Sequence, residues 1–357
     1  MITNHNHYID LAFQKAEKNL GRTRLNPSVG TVVVKNDTVI SSAVTSHNGN
    51  PHSEFIALNN LKDCAGASLY TTLEPCTHFG NTPPCVNIII KKKIKNVFYA
   101  FEDPDIRTFK KAKKLLSRKG IKTKLIHTKK YSNFYKSYFI NKKLSIPFIT
   151  GKIAISKDYL TINKKDKWIS NERSRKTVHL LRNRHDCILS TSKTINLDNS
   201  ILNCRINGLN NNKPDLFIID LKLKLKKKLS LNNYLKTRKT FIITSKNNSS
   251  KTLAYKKLGY KIIFINKLRN KNDFNSLYRK IYKLGYSRML VETGLTFLNN
   301  LIENKMIHNL YIFKSNKKLR KNGKNNNTSN YLKKIRPKLL TINLNGDNLL
   351  KKEFNYV

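Results

Sequence analysis

The sequence predicts an α/β fold built as two domains. Three observations carry that expectation. Short β-branched runs alternate with segments of helical length. The alternation breaks near residue 146 and then resumes. A length of 357 residues is ample for two packed cores.

The elements follow in order. Tyr8, Leu11, Ala12 and Ala16 recur at helical spacing. Thr31 to Val34 and Val39 to Val44 read as strands joined by a turn at Lys35-Asn36-Asp37. Ser53 to Leu61 reads as a helix, Leu69 to Leu73 as a strand, and Pro84 to Lys92 as a helix entered through proline. Val97 to Phe101 is a strand. Phe109 to Lys119 is a helix that Gly120 ends, and Ile121 to Ile126 is the next strand. A helical stretch from Tyr131 to Lys142 reaches Pro147, so the domains are expected at 1–146 and 147–357. Beyond it come a strand at Phe148 to Ile155, a helix at Asn171 to Arg182, and strands at Cys187 to Leu189, Leu216 to Ile219, Phe241 to Thr244 and Tyr260 to Ile265. Phe274 to Leu284 is helical, and Met289 to Val291 forms a strand entering Gly294. The polar, Asn-rich segment Lys314 to Tyr331 reads as a loop.

Composition narrows the function classes. Lys and Arg number 70 against 21 Asp and Glu, a formal charge of +49, which invites a nucleic-acid-binding reading. The excess is spread from end to end and comes with abundant Asn, as compositional drift in an A+T-rich genome would produce. It does not cluster with aromatics on one element. No run approaches eighteen apolar residues, which excludes a transmembrane helix. Met1 to Lys15 lacks the apolar core of a cleavable signal. Five cysteines (Cys64, Cys76, Cys85, Cys187, Cys204) are too few and odd in number for a disulfide framework. A cytoplasmic location and metal or thiol chemistry are therefore expected.

The chemistry is concentrated in His52-Ser53-Glu54, Pro75-Cys76 and Pro84-Cys85. One His and two Cys supply three N/S ligands to Zn²⁺ and leave the fourth position for water. The metal brings that water's pKa toward neutrality. Glu54 is placed to take the proton and pass it to a departing amine. Each residue alone has an ordinary reading, but all four in this order match the zinc deaminase signature. Eight residues, Thr77 to Pro84, separate the cysteines, where common deaminases have two.

With Asn26-Pro27-Ser28-Val29-Gly30, Gly49-Asn50-Pro51-His52-Ser53-Glu54 and the run Thr72 to Cys85, the chain closely resembles the bifunctional riboflavin-biosynthesis deaminase–reductases. The resemblance implies a cytidine-deaminase-like three-layer α/β/α domain followed by a dihydrofolate-reductase-like α/β domain. It implies hydrolytic deamination of a diaminopyrimidinone ribosyl phosphate, then NADPH-dependent reduction of the ribosyl to a ribityl chain. By the same resemblance His52, Cys76 and Cys85 bind zinc, Glu54 shuttles the proton, and Asn26 contacts the pyrimidine. A homodimer or larger assembly is implied.

The second half carries the resemblance further through Lys152, Ser156-Lys157-Asp158, Trp168-Ile169-Ser170, His179 to Arg182, Asp186 to Leu189 and Val291 to Gly294. Carried over, Ala154, Trp168, Thr194, Asp198 and Gly294 would contact NADPH, while Asp166, Arg182, Leu202, Arg205 and Glu292 would contact the substrate. An arginine suits the substrate's phosphate, and the Glu-x-Gly turn at a helix start suits an anion. The pattern also departs from the family. Tyr159 stands where the family has Gly, and Asp166 replaces a small polar residue. Asp198-Asn199-Ser200 stands for Asp-Asp-Pro, and Ser315 to Leu319 is followed by a glycine displaced to Gly323. The glycines expected after Asp103-Pro104-Asp105 are absent. These departures leave open a deaminase whose reductase half is degenerate and kept for structure or oligomerisation. An RNA-editing deaminase with a basic second half is disfavoured by the Cys85 spacing and by the Glu292-Thr293-Gly294 turn. Neither a membrane nor a nucleic-acid partner is expected.

Overall fold

A computed structural model describes residues 4–80, 82–209, 214–245 and 249–355. The chain divides into two compact units, Met1–Ser145 and Ile146–Val357.

The first unit is a five-stranded sheet flanked by helices. Its strands are β1 (Gly30–Lys35), β2 (Thr38–Val44), β3 (Ser68–Thr71), β4 (Asn96–Tyr99) and β5 (Lys122–Leu125), in the order β2-β1-β3-β4-β5. β1 is antiparallel to β2 and β3, whereas β3, β4 and β5 run parallel. Helix α1 (His5–Lys18) starts where the Asn4 side chain caps the His7 amide, and it buries Tyr8, Ile9, Ala12, Phe13 and Ala16 on one stripe. Gly30 permits that packing: a Cβ there would lie 1.9 Å from the Ala12 carbonyl oxygen. Helices α2 (Ser53–Asn59), α3 (Cys85–Lys91) and α4 (Lys111–Ser117) complete a core around Leu58, Leu69, Ile89, Val97 and Leu116. Helix α5 (Lys136–Leu144) joins α1 over the opposite face, with Phe13, Tyr70 and Tyr135 buried there.

The second unit is a nine-stranded sheet in the order β11-β10-β9-β8-β12-β6-β13-β16-β15. The strands are β6 (Phe148–Ile155), β8 (Cys187–Thr191), β9 (Asp215–Ile219), β10 (Thr240–Thr244), β11 (Lys261–Phe264), β12 (Arg288–Glu292), β13 (Asn309–Lys314), β15 (Lys338–Leu344) and β16 (Asp347–Glu353). The first seven in spatial order run parallel, and the β15–β16 hairpin closes one edge antiparallel. Its helices are α6 (Glu172–Asn183), α7 (Ser192–Asp198), α8 (Ser249–Leu258), α9 (Lys271–Lys283), α10 (Leu295–Glu303) and α11 (Asn330–Lys334). Central strands such as β9 and β10 are buried along their whole length, as expected of a parallel sheet covered on both faces.

The segment Lys314 to Tyr331, expected to be a loop, is more ordered than its composition suggests. It holds a 3₁₀ turn at Arg320–Asn322 and a strand β14 (Gly323–Lys324) that pairs with β7 (Ile162–Asn163). Hydrogen bonds to residues about 160 positions earlier fix it, and those partners are invisible to local composition. Among the described residues no helix is long and apolar enough to cross a membrane.

Candidate active sites

In the first unit three loop-to-element junctions converge. His52 is the residue before α2, Cys85 opens α3 behind Pro84, and Cys76 lies in the turn beyond β3. The ligand atoms of His52, Cys76 and Cys85 all lie within 4.8 Å of one another. His52 Nδ1 is 3.5 Å from Cys76 Sγ and 3.4 Å from Cys85 Sγ, and the Cys85 amide donates to Cys76 Sγ at 3.2 Å. The Cys76 thiol is pushed down to about 4, first by the hydrogen bond from Cys85, whose own pKa rises. The hydrogen bond with Cys76 raises the His52 pKa. One imidazole nitrogen and two thiols within 4.8 Å of one another form a donor set that fits a soft divalent ion such as zinc.

Glu54, in the first turn of α2, is buried to 3% exposure. Its Oε2 accepts from Ser53 Oγ at 3.0 Å, and Ser53 Oγ is paired with Thr31 Oγ1 at 2.8 Å. Burial raises the Glu54 pKa, favouring the proton-carrying form. Asn26 donates to the Gly49 carbonyl at 2.9 Å and ties two loops beside His52 together. Gly49 has φ +93°, and a Cβ there would meet Asn26 Nδ2 at 2.8 Å. A cavity of about 420 Å³ opens against His52 and Cys85, with Pro51, Phe55, Pro83 and Ile88 on its walls.

Sequence reasoning gave no role to two further carboxylates. Glu74 Oε2 accepts from the amides of Asp103 (3.2 Å) and Lys110 (3.0 Å), and its Oε1 accepts from Ala112 (3.0 Å). It anchors the loop after β4 in place of a helix cap: Lys110, just before α4, has φ +57°. Asp103 is buried, accepts from Tyr138 Oη at 3.0 Å and from the Asp105 amide at 2.9 Å, and burial pushes its pKa up to about 6. Its charge contributes to raising the His52 pKa. Asp105 is held by Lys142 at 2.8 Å and by a two-pronged contact with Arg107. The loop of the second cysteine is tied to this one through His78 Nδ1 and Thr108 Oγ1, 3.0 Å apart. Phe79 and Ile106, at 74% and 83% exposure, stand at that junction.

In the second unit the parallel strands β6, β8 and β12 end on one rim, where open α/β sheets bind ligands. Glu292, at the end of β12, is gripped by Arg182 (Nε–Oε1 2.6 Å, Nη2–Oε2 3.0 Å) and faces Lys152 at 3.7 Å. Despite burial these cations, Arg182 first, hold its pKa near 2, and burial lowers that of Lys152. Arg182 Nη1 also donates to the Asn203 carbonyl at 3.0 Å, and the Arg205 amide lies 3.2 Å from His179 Nδ1. Leu202 has φ +53°, its side chain belongs to the core, and its carbonyl accepts from Arg238 Nη1 at 2.8 Å. Thr194 sits in the first turn of α7, where Thr191 Oγ1 caps its amide; Asp198 ends that helix, its pKa raised by burial. Gly294 precedes α10 with nothing within 4 Å of where a Cβ would stand, leaving room for a ligand at that helix start. Ala154 lies on β6 against the Val178–Phe313 cluster. Asp166 and Trp168 are exposed; Trp168, at 47%, lies under Arg175 (4.9 Å) and Lys167 (5.3 Å). A nicotinamide dinucleotide would find here a glycine-bounded helix start, backbone donors and cations for its phosphates.

Comparison with known proteins agrees with the two-domain organisation. Residues 2–101 match the family model described as the cytidine and deoxycytidylate deaminase zinc-binding region, and residues 147–317 match the RibD C-terminal domain. Riboflavin biosynthesis protein RibD of Aquifex aeolicus is 31% identical over 310 residues, covering 86% of this chain and 85% of its relative. The protein of the same name from Buchnera aphidicola subsp. Baizongia pistaciae is 31% identical over 328 residues, with 86% and 85% covered. Among solved structures, Acinetobacter baumannii RibD superposes with a TM-score of 0.83 at 23% identity, covering 97% of this chain and 98% of its own. The Thermotoga maritima diaminohydroxyphosphoribosylaminopyrimidine deaminase/5-amino-6-(5-phosphoribosylamino)uracil reductase superposes with a TM-score of 0.81 at 24% identity, with 98% of both chains covered.

Proposed function

The chain belongs to the RibD family of bifunctional riboflavin-biosynthesis enzymes, and on that premise we propose which of its residues carry out each reaction. Its first domain is a zinc-dependent deaminase and its second an NADPH-dependent reductase. The substrate of the first reaction is a pyrimidine carrying a phosphoribosylamino group; the product passes to the second reaction, which reduces the ribosyl to a ribityl chain.

The convergence of His52, Cys76 and Cys85 beside the buried Glu54 carries the assignment. These three side chains would hold the zinc. When bound, the ion supplies Lewis acidity that makes a water nucleophilic near neutral pH. Glu54 takes the proton from the attacking water and returns it to the departing amine; its burial keeps the proton on the carboxyl between the two steps. Asn26, which ties the Gly49 loop in place, contacts the pyrimidine, and Tyr138 steadies Asp103. In the reductase half Trp168, Thr194, Asp198, Gly294 and Ala154 hold NADPH, which supplies the hydride. Asp166, Arg182, Leu202, Arg205 and Glu292 hold the ring-opened sugar phosphate. Arg182 and Lys152 together outweigh Glu292 and leave the rim positive toward two anionic ligands.

The enzyme is read as a cytoplasmic homodimer or larger assembly, which light scattering of the purified chain tests. Two measurements test the site assignment. His52→Ala should lose its zinc by metal analysis, and full occupancy would overturn the ligand set. Purified protein given the diaminopyrimidinone should release ammonia and then oxidise NADPH; ammonia without NADPH oxidation would instead favour a degenerate reductase half.

A further inference from the structure

Two segments in which the chain departs from its family's pattern lie against each other. The loop after β6 carries Tyr159, and the loop after β13 carries the displaced Gly323. β6 and β13 are parallel neighbours, so both loops leave the sheet at the same rim. Asp158 accepts from the amides of Leu319 (3.0 Å) and Arg320 (2.8 Å), and the Lys157 amide donates to the Lys317 carbonyl at 2.8 Å. Gly323 suits this position, because a Cβ there would lie 2.7 Å from Leu319 Cβ, which the backbone fixes. Asn325 closes the arrangement. Its Oδ1 accepts from the Thr161 amide (2.8 Å) and hydroxyl (2.9 Å), and its Nδ2 donates to the Tyr159 carbonyl at 3.0 Å. Tyr159 itself is left-handed, at φ +63°, a conformation disfavoured for any residue with a Cβ. Its ring lies 4.3 Å from Lys314 Nζ, at the end of β13 where the second loop begins.

The far end of the fastened loop reaches the cofactor rim. Asn163, in the strand paired with Gly323, donates to the Trp168 carbonyl at 3.3 Å. Lys167 lies close enough to Asp198 for its charge to be felt there. The line of contacts therefore runs from Asn325, through Thr161 and Asn163, to Trp168.

We infer that Asn325 is a positioning residue of the reductase half: its three hydrogen bonds clasp the 156–168 loop to the 315–325 segment and set where Trp168 stands for NADPH. The clasp offers a physical answer to the two departures, since Asn325 and Lys314 support the turn in which Tyr159 replaces a glycine. The inference rests on the reading of Trp168 as a cofactor contact.

The test uses the full chain and NADPH itself. In Asn325→Ala the loop should populate its binding-competent position only part of the time, so NADPH should bind about tenfold more weakly. Ammonia release, measured on the same sample as a check of folding, should not change. Asn325→Asp keeps both bonds to Thr161, loses the one to Tyr159, and should fall between the two. Without ligand, the Thr161 and Lys164 amides should exchange hydrogen faster in Asn325→Ala. NADPH affinity within about twofold of wild type, or unchanged amide exchange, would overturn the clasp. A wild-type chain with no affinity for NADPH would instead overturn the cofactor reading on which it rests.

Discussion

Glu74→Gln tests the deaminase scaffold most directly. The substitution preserves size and replaces one acceptor oxygen by a donor. In the structure both oxygens are used: Oε2 takes two backbone amides and Oε1 a third. Whichever way the new amide turns, at least one buried N–H then faces an N–H. A bond to a charged acceptor contributes about 1.5–3 kcal/mol, and a buried donor left unsatisfied costs about 1–3 kcal/mol. Removing a buried carboxylate offsets part of this, since burial already raises the Glu74 pKa. The net expectation is a loss of about 2–4 kcal/mol in the first unit, roughly 10 °C in its melting temperature. Because the Asp103 amide is one of the three partners, ammonia release should also fall, by about tenfold or more. Zinc content should not change, because none of His52, Cys76 and Cys85 bonds to Glu74. Calorimetry of the full chain, paired with ammonia release and metal analysis, reads all three quantities. A variant that melts within about 2 °C of wild type and deaminates normally would refute the anchoring argument.

Other perturbations address the rest of the molecule. Glu54→Gln should keep its zinc while ammonia release drops at least about a hundredfold; near-normal turnover would remove Glu54 from the proton path. Arg238 is buried and donates to the carbonyls of Ile201, Leu202 and Pro214, so Arg238→Met should destabilise the second unit by about 2–4 kcal/mol, and calorimetry showing no change would refute its bracing role. In the same unit burial pushes His185 down to about 3 and His179 down to about 4. The unfolded chain therefore binds protons from pH 6.5 downward that the folded unit does not accept. Stability should fall on acidification from pH 6.5 to 4.5, by about 1.4 kcal/mol per pH unit for each histidine at most, and a melting temperature constant over that range would contradict it.

Much of the fold is legible before any coordinates. The strands at Thr31 to Val34, Val39 to Val44 and Phe241 to Thr244 form as read, because β-branched runs bounded by turn residues have little alternative. The helix expected at Tyr131 to Lys142 begins only at Lys136, since aromatic packing of Tyr131 and Phe134 against Phe13 holds the first turns in another form. The β15–β16 hairpin leaves little trace in sequence: lysines and asparagines interrupt its alternation, and it stands because β13 offers an open edge.

The division for this protein is chemical. The sequence by itself pointed to the candidate metal ligands His52, Cys76 and Cys85 and to the candidate proton carrier Glu54, because residue identity and spacing are local properties of His52-Ser53-Glu54 and of the two Pro-Cys pairs. It likewise determined the order of deaminase and reductase along the chain. Only the tertiary structure decided what supports those groups. Glu74 meets Lys110 and Ala112 across 36 and 38 residues, and Asn325 meets Thr161 across 164. A hydrogen bond between distant segments leaves no periodicity to read, so the supports of a site appear only once the chain has folded around it.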